Sequence, residues 1–151
     1  MQTFLPYADF EPTARVLDRK RLGKQRVECL QVLRGLTVEG YGWRHHPAVK
    51  MWRGREEALG RYAFTCCEVW LESGFGDTCA ASIGQELAVI GIAQVRSQAQ
   101  LRRSRALPSW LGDEDFHRSH QSALVRKDPD FYGPRFPGVP DDLPDVWPGP
   151  G

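Results

Sequence analysis

The chain of 151 residues has little net charge, no CxxC pair and no long apolar run. Each absence removes a class of protein. A formal charge of +1 leaves no global positive field to announce a polyanion partner. No apolar run approaches the roughly 20 residues of a membrane helix, so no membrane partner is expected. No signal-peptide pattern opens the chain, and the four cysteines, Cys29, Cys66, Cys67 and Cys79, lack redox or zinc-ribbon spacing. Free, mostly buried thiols in a reducing cytoplasm are the expectation. Adjacent Cys66 and Cys67 are too close for an ordinary bridge to each other. No internal repeat is present. What remains is one globular domain, 41% hydrophobic and 26% charged, long enough to bury a core.

The charge is segregated. Residues 1–34 hold seven Lys/Arg against four Asp/Glu, and residues 94–127 hold seven against three. Residues 35–93 and 128–151 are net acidic. Two basic segments that converged would form one patch, the electrostatic footprint of a nucleic-acid binder. The densest stretch is Leu17–Gly35. Leu22, Cys29 and Leu33 share one helical stripe. Arg21, Lys24, Glu28 and Gln31 line another face, expected opposite the core. A carboxylate within a row of cations suits electrostatic or acid/base work on a polyanion. It is also what a solvated face with i,i+4 pairing looks like. Arg26 lies near the apolar stripe, so it is either buried and paired or projects along the stripe's rim.

The other elements follow from periodicity and punctuation. Pro6 keeps Met1–Tyr7 extended. Asp9 and Asp18 are expected to cap a short turn over Pro12–Leu17 and the main helix, with Gly35 at the C′ position of the latter. Gly23 inside that helix costs about 1 kcal/mol relative to Ala. Pro47 opens a short helix, and Glu56–Glu72 is a second strong one with a stripe through Leu59, Tyr62, Cys66 and Trp70. Thr78–Ile92 reads as helix or short strand. Val95–Ala106 is basic and helical, and Pro108–Gly112 is a turn. Asp113–Lys127 is a third strong helix, stopped by Asp128-Pro129. The fold class is all-α: a compact helical bundle over 1–132 with an extended N-terminal segment, followed by a Pro-rich tail over 133–151. Six of eleven prolines fall between Pro134 and Pro150, so the tail either wraps the surface or is mobile.

Two histidine pairs, His45-His46 and His117/His120, make zinc arithmetically possible. The i,i+3 pair includes His120 on an apolar face, where a satisfied core histidine is the common outcome, and no metal is expected. Aromatics beside cations, Tyr41/Trp43/Arg44 among them, suit stacking or wedging against bases, although Trp52 and Trp70 also fit a core.

Five short pieces occur in a characteristic order: LD-x3-L-x5-E from Leu17, G-x-T-x2-GY from Gly35, HHP at His45, E-x4-SGF-x-D from Glu68, and RKDP-x2-Y from Arg126. Together they resemble the pyrimidine-dimer DNA glycosylase family of endonuclease V-like enzymes, closer to its bacterial relatives than to the phage enzyme. The resemblance covers most of residues 1–132. It implies a bifunctional glycosylase and AP lyase whose nucleophile is the chain's own α-amine, forming an imine at C1′ of a damaged nucleotide. The family's glutamate falls on Glu28. Gln2 is too bulky for usual Met removal, so the amine belongs to Met1. Seven residues span at most roughly 25 Å, enough to bring Met1 beside Glu28. At two of the family's arginine positions this chain has Val27 and Gln31, with Arg21, Lys24 and Arg26 as substitutes. Arg15, Arg19, Lys20, Arg44 and His46 complete the expected DNA-binding set. The implied partner is double-stranded DNA with a damaged or modified base, met by a monomer at the nucleoid without any cofactor. A non-catalytic nucleic-acid-binding domain, a histidine-based metal nuclease and a partner-binding acidic tail are the alternatives.

Overall fold

The computed structural model describes residues 1–151 as eight helices and no strands. They are α1 (Phe10–Val16), α2 (Arg19–Thr37), α3 (Pro47–Lys50), α4 (Glu56–Glu72), α5 (Cys79–Val89), α6 (Gln98–Arg103), α7 (Glu114–Lys127) and α8 (Pro129–Tyr132). Helices α2, α4 and α5 pack on one another, α1 lies on α4, and α8 follows directly on α7. No helix is long and apolar enough to cross a membrane.

The apolar stripes meet in one core. Leu22, Cys29 and Leu33 of α2 face Leu59, Tyr62 and Cys66 of α4, all buried. Trp52 is fully buried, stacked over Tyr62 at 6.3 Å and met edge-on by Trp110 at 5.0 Å. The ambiguous 78–92 stretch is helical, and Gly91 leaves it at φ 88°. Helix α6 is shorter than its basic surroundings suggest and starts on a capping box at Ser97 and Gln100.

Three expected caps differ. Asp9 stands at the N-cap of α1, which runs from Phe10 to Val16 and not from Pro12, and its side chain makes no capping bond. Asp18 sits at the N-cap of α2, but its side chain makes no capping bond. It accepts instead from the Tyr132 hydroxyl and from Arg21 at 3.1 Å. Gly35 is not the C′ residue, because α2 continues to Thr37. Its role is close approach: a Cβ there would stand 2.8 Å from the Val49 side chain of α3. Gly23 likewise sits against the Trp70 ring, 3.0 Å from where a Cβ would be. Asp128-Pro129 ends α7 and at once starts α8, since the Asp128 side chain accepts from the Phe131 amide.

The N-terminal segment has no regular structure, yet it is deeply held. Gln25 of α2 accepts from the Phe4 amide at 2.7 Å and donates to the Gln2 carbonyl at 2.8 Å, as a neighbouring strand would. The Tyr62 hydroxyl donates to the Phe4 carbonyl. The Leu5 amide donates to His120 Nδ1 at 2.9 Å, and His117 Nδ1 donates to the Leu5 carbonyl at 2.8 Å. Gln121 donates to the Pro6 carbonyl at 2.8 Å. Side chains of α2, α4 and α7 thus supply the partners that a sheet would otherwise give to buried backbone.

Candidate active site

A cavity of about 610 Å³ opens where the N-terminal segment, the first turns of α2 and the end of α7 meet. Met1 and Gln2 enter from the chain's start, with Lys20, Arg21, Lys24 and Glu28 from α2. Arg126 and Lys127 close the far side, and Asp145 and Trp147 of the tail complete the lining. Five cations therefore surround two carboxylates in one concavity. Glu28 is not on a fully solvated face: it is buried, 8% exposed, and its carboxylate lies 3.6 Å from the Lys24 ammonium. Lys24 itself is open to solvent. Lys20 and Lys127 make no ion pair, and Lys127 stands over the Phe4 ring at 6.0 Å.

His46 is not part of the lining, but its ring meets that of Trp147 edge-on at 6.0 Å. Its Nδ1 accepts from the Ala48 amide at 3.0 Å, which caps α3. Burial, and then the nearby Met1 amine, hold its imidazole below the ordinary value, while Glu28 pulls the other way. His46 therefore stands within electrostatic reach of both groups.

The remaining cations of the expected set lie elsewhere or are already engaged. Arg26 is half-buried, ion-paired to Asp77 and stacked over Trp70 at 4.4 Å. Burial would raise Asp77, but the Ala80 amide, Arg26 and the Cys79 amide outweigh it and hold the carboxyl below its usual range. Arg26 is thus a tie between α2 and the start of α5. Arg15 bridges Glu11 and Glu72 in a separate groove. Arg19 is exposed and lies over Phe75 at 4.5 Å. Arg44 is exposed and donates to His45 at 3.1 Å. Arg21 is shared between the cavity and Asp18. Val27 is 42% exposed.

The two histidine pairs do not come together as a metal set. His117 accepts from the Gly112 amide at its Nε2, so both its ring nitrogens are engaged, and no three His, Cys, Asp or Glu side chains converge. His120 is nearly buried, its imidazole pushed down to about 3 by burial first and by His117 second. The four cysteines are buried and unpaired, and burial raises the thiols of Cys29, Cys67 and Cys79. None of these three is a ready nucleophile.

Three contributions were not read from sequence. Gln25 carries no sequence signal, since a glutamine on a basic helix looks like surface. Arg126 and Lys127 had one, the basic 94–127 segment and the RKDP piece. Only this end of that segment reaches the cavity. Arg96 pairs with Glu57, and Arg102 and Arg105 line a different groove. Trp147 had none beyond its aromatic character.

Met1 and the buried Glu28 share one cation-lined cavity, although no ion pair joins the Met1 amine to the Glu28 carboxylate, whose ionic partner is Lys24; an α-amine in such a setting can form an imine with a carbonyl-type carbon. The sequence profile of the pyrimidine dimer DNA glycosylase family matches residues 1–82, which contain the N-terminal segment, α2, α3 and α4. No curated protein and no solved structure matches the chain. The matched half supplies Met1, the α2 cations and Glu28, and the chain belongs to the pyrimidine dimer DNA glycosylase family, enzymes of DNA repair that act on DNA.

Proposed function

We propose that the protein is a DNA glycosylase with AP-lyase activity, acting on a damaged or modified base in duplex DNA through an imine at C1′. The observation that supports this reading is the shared cavity of Met1 and Glu28 inside a ring of cations. A neutral amine is a competent nucleophile for a Schiff base and needs no metal or cofactor. The neutral amine attacks C1′, the C1′–N glycosidic bond breaks, and the base leaves with that electron pair and takes up a proton. A proton passes from nitrogen to the ring oxygen, the C1′–O4′ bond breaks with its electron pair left on that oxygen, and the nitrogen lone pair forms the C1′=N bond of the protonated imine. Glu28 stabilises positive charge at the sugar and then takes the C2′ proton. The electrons flow to expel the 3′ phosphate, and water releases the amine from the imine.

Lys20, Lys24, Arg126 and Lys127 hold the flanking phosphates, with Arg21 assisting. Arg19, Arg44 and His46 extend the contact along the surface. Gln25, His117 and His120 are positioning residues: they fix the extended segment that carries Met1. The test is borohydride trapping on duplex DNA with a single abasic site. A covalent protein–DNA adduct is expected. DNA binding without an adduct would leave a binding domain and remove the lyase.

A further inference from the structure

The second basic segment, residues 94–127, has a concavity of its own. A groove of about 570 Å³ lies between the start of α4, the end of α6 and the turn before α7. Arg55, Arg102 and Arg105 line it, together with the apolar Leu107, Pro108 and Leu111, and no carboxylate does. The groove shares no residue with the Met1–Glu28 cavity. Gly112 of the groove precedes α7, whereas Arg126 and Lys127 of the cavity end it. The two sites therefore lie at opposite ends of a 14-residue helix, roughly 20 Å long.

These cations are held more firmly than those of a solvated face. Arg55 is half-buried, and its guanidinium donates to the Gly151 carbonyl at 2.9 Å and to the Arg105 carbonyl at 3.3 Å. It thereby braces the backbone that presents Arg105. Arg105 is the one residue other than glycine with positive φ, at 57°. Its position follows from the end of α6. The Ala106 amide donates to the Leu101 carbonyl at 2.8 Å and the Arg105 amide to the Arg102 carbonyl at 3.1 Å. A helix that ends this way usually has glycine at its left-handed residue. A side chain there strains the backbone, and here that side chain is a cation. The Arg105 guanidinium is exposed and makes no ion pair, and Arg103 of the same turn is likewise exposed and unpaired. Arg102 reaches Asp9 at 3.1 Å, with both side chains open to solvent. Asp9 and Glu114 belong to the adjoining cavity, where the cationic run ends.

We propose that this groove is a second phosphate site, which takes the backbone of a DNA segment other than the one engaged at Met1 and Glu28. The inference rests on the glycosylase reading for the identity of that first segment. Guanidinium groups meet phosphate oxygens through paired N–H donors. Backbone contacts of this kind read neither sequence nor damage. A chain with two such sites keeps hold of undamaged DNA while the first site is engaged.

The experiment saturates a short immobilised duplex, carrying one tetrahydrofuran abasic analogue, with the full chain. After a wash at low salt, capture of a labelled undamaged duplex is measured. The wild type is expected to capture it, and added salt to abolish capture. Arg105→Gly removes the cation and relaxes the backbone, so melting temperature should hold or rise while capture falls by about fivefold or more. Arg102→Ala should act in the same direction. Both variants should bind the immobilised duplex and undergo borohydride trapping on abasic DNA as the wild type does. No capture by the wild type, undiminished capture by Arg105→Gly, or a parallel loss of trapping in that variant would each overturn the proposal. Absent capture with Arg105-dependent binding of inorganic pyrophosphate would assign the groove to a small anion and overturn the DNA role. Capture by a wild type that does not trap would leave the second site standing and remove the lyase reading. Trapping without capture would do the reverse.

Discussion

On one side of α2, Arg26 and Arg34 reach Asp77 and Glu86 at the start and within α5; on another, Lys20, Lys24 and Glu28 face the cavity. The same helix thus uses like charges for two purposes. Arg26 and Asp77 are withdrawn from water, tied to each other and to the α5 amides. Lys24 is largely exposed and Lys20 has no acidic partner. Availability, not charge count, separates a structural cation from one free to meet a polyanion. It is set by acids from elements far away in sequence.

The comparison breaks most visibly at Arg26. Arg26→Ala leaves the Asp77 carboxylate without its cation, held by the Cys79 and Ala80 amides alone, and strips the cover from Trp70, so unfolding free energy should fall by about 2 kcal/mol or more. Denaturant titration measures this. A change under about 0.5 kcal/mol, with reduced DNA affinity instead, would move Arg26 to the cavity side of the ledger.

Acid should attack the structural side next. His120 is kept neutral, pushed down to about 3, while a histidine in the unfolded chain takes up its proton near 6.5. Between those values the unfolded state binds more protons, so stability is complete above about pH 6.5 and declines as pH falls toward 3. Asp77 and Asp18, held below the usual carboxylate range, add a second loss below about pH 4. Melting temperature should therefore drop steadily from pH 6.5 downward. A flat profile from pH 7 to 4 would contradict the neutral-histidine clamp on Leu5.

Glu28→Gln probes the other side. It keeps the shape and removes a negative charge among phosphate ligands. Affinity for DNA should hold or rise, while single-turnover strand cleavage should fall by about 100-fold or more. Wild-type turnover would remove Glu28 from the chemistry. The smallest effects belong to Lys20→Ala and Lys24→Ala. Each should lower the salt dependence of DNA binding by about one unit, with stability nearly unchanged. Arg21→Ala should do both, because Arg21 also holds Asp18 in the network with Tyr132. An affinity insensitive to salt would make this side a solvated surface and nothing more.

Much of this was legible in the sequence, and for stated reasons. The α2, α4 and α7 stripes have 3.6-residue periodicity and strong punctuation, so their helices and core residues followed from local pattern. The link between Met1 and Glu28 came from a family resemblance, not from spacing. Arg26 was ambiguous because its partner, Asp77, lies 51 residues away. Gln25 was invisible because its burial depends on an irregular segment that docks on it 21 residues earlier. The tail's composition allowed wrapping or mobility alike; the attachments to Ser122, Arg126 and Arg55 are tertiary facts with no local signature.

The central claim is that the reacting amine is the one on Met1, and the most direct measurement is peptide mapping of the borohydride-trapped adduct by mass spectrometry. The account predicts the sugar remnant on the α-nitrogen of Met1, and no adduct once that amine is acetylated, with DNA binding retained. A remnant on the side chain of Lys24 or Lys20, or trapping that survives acetylation of the α-amine, would contradict it.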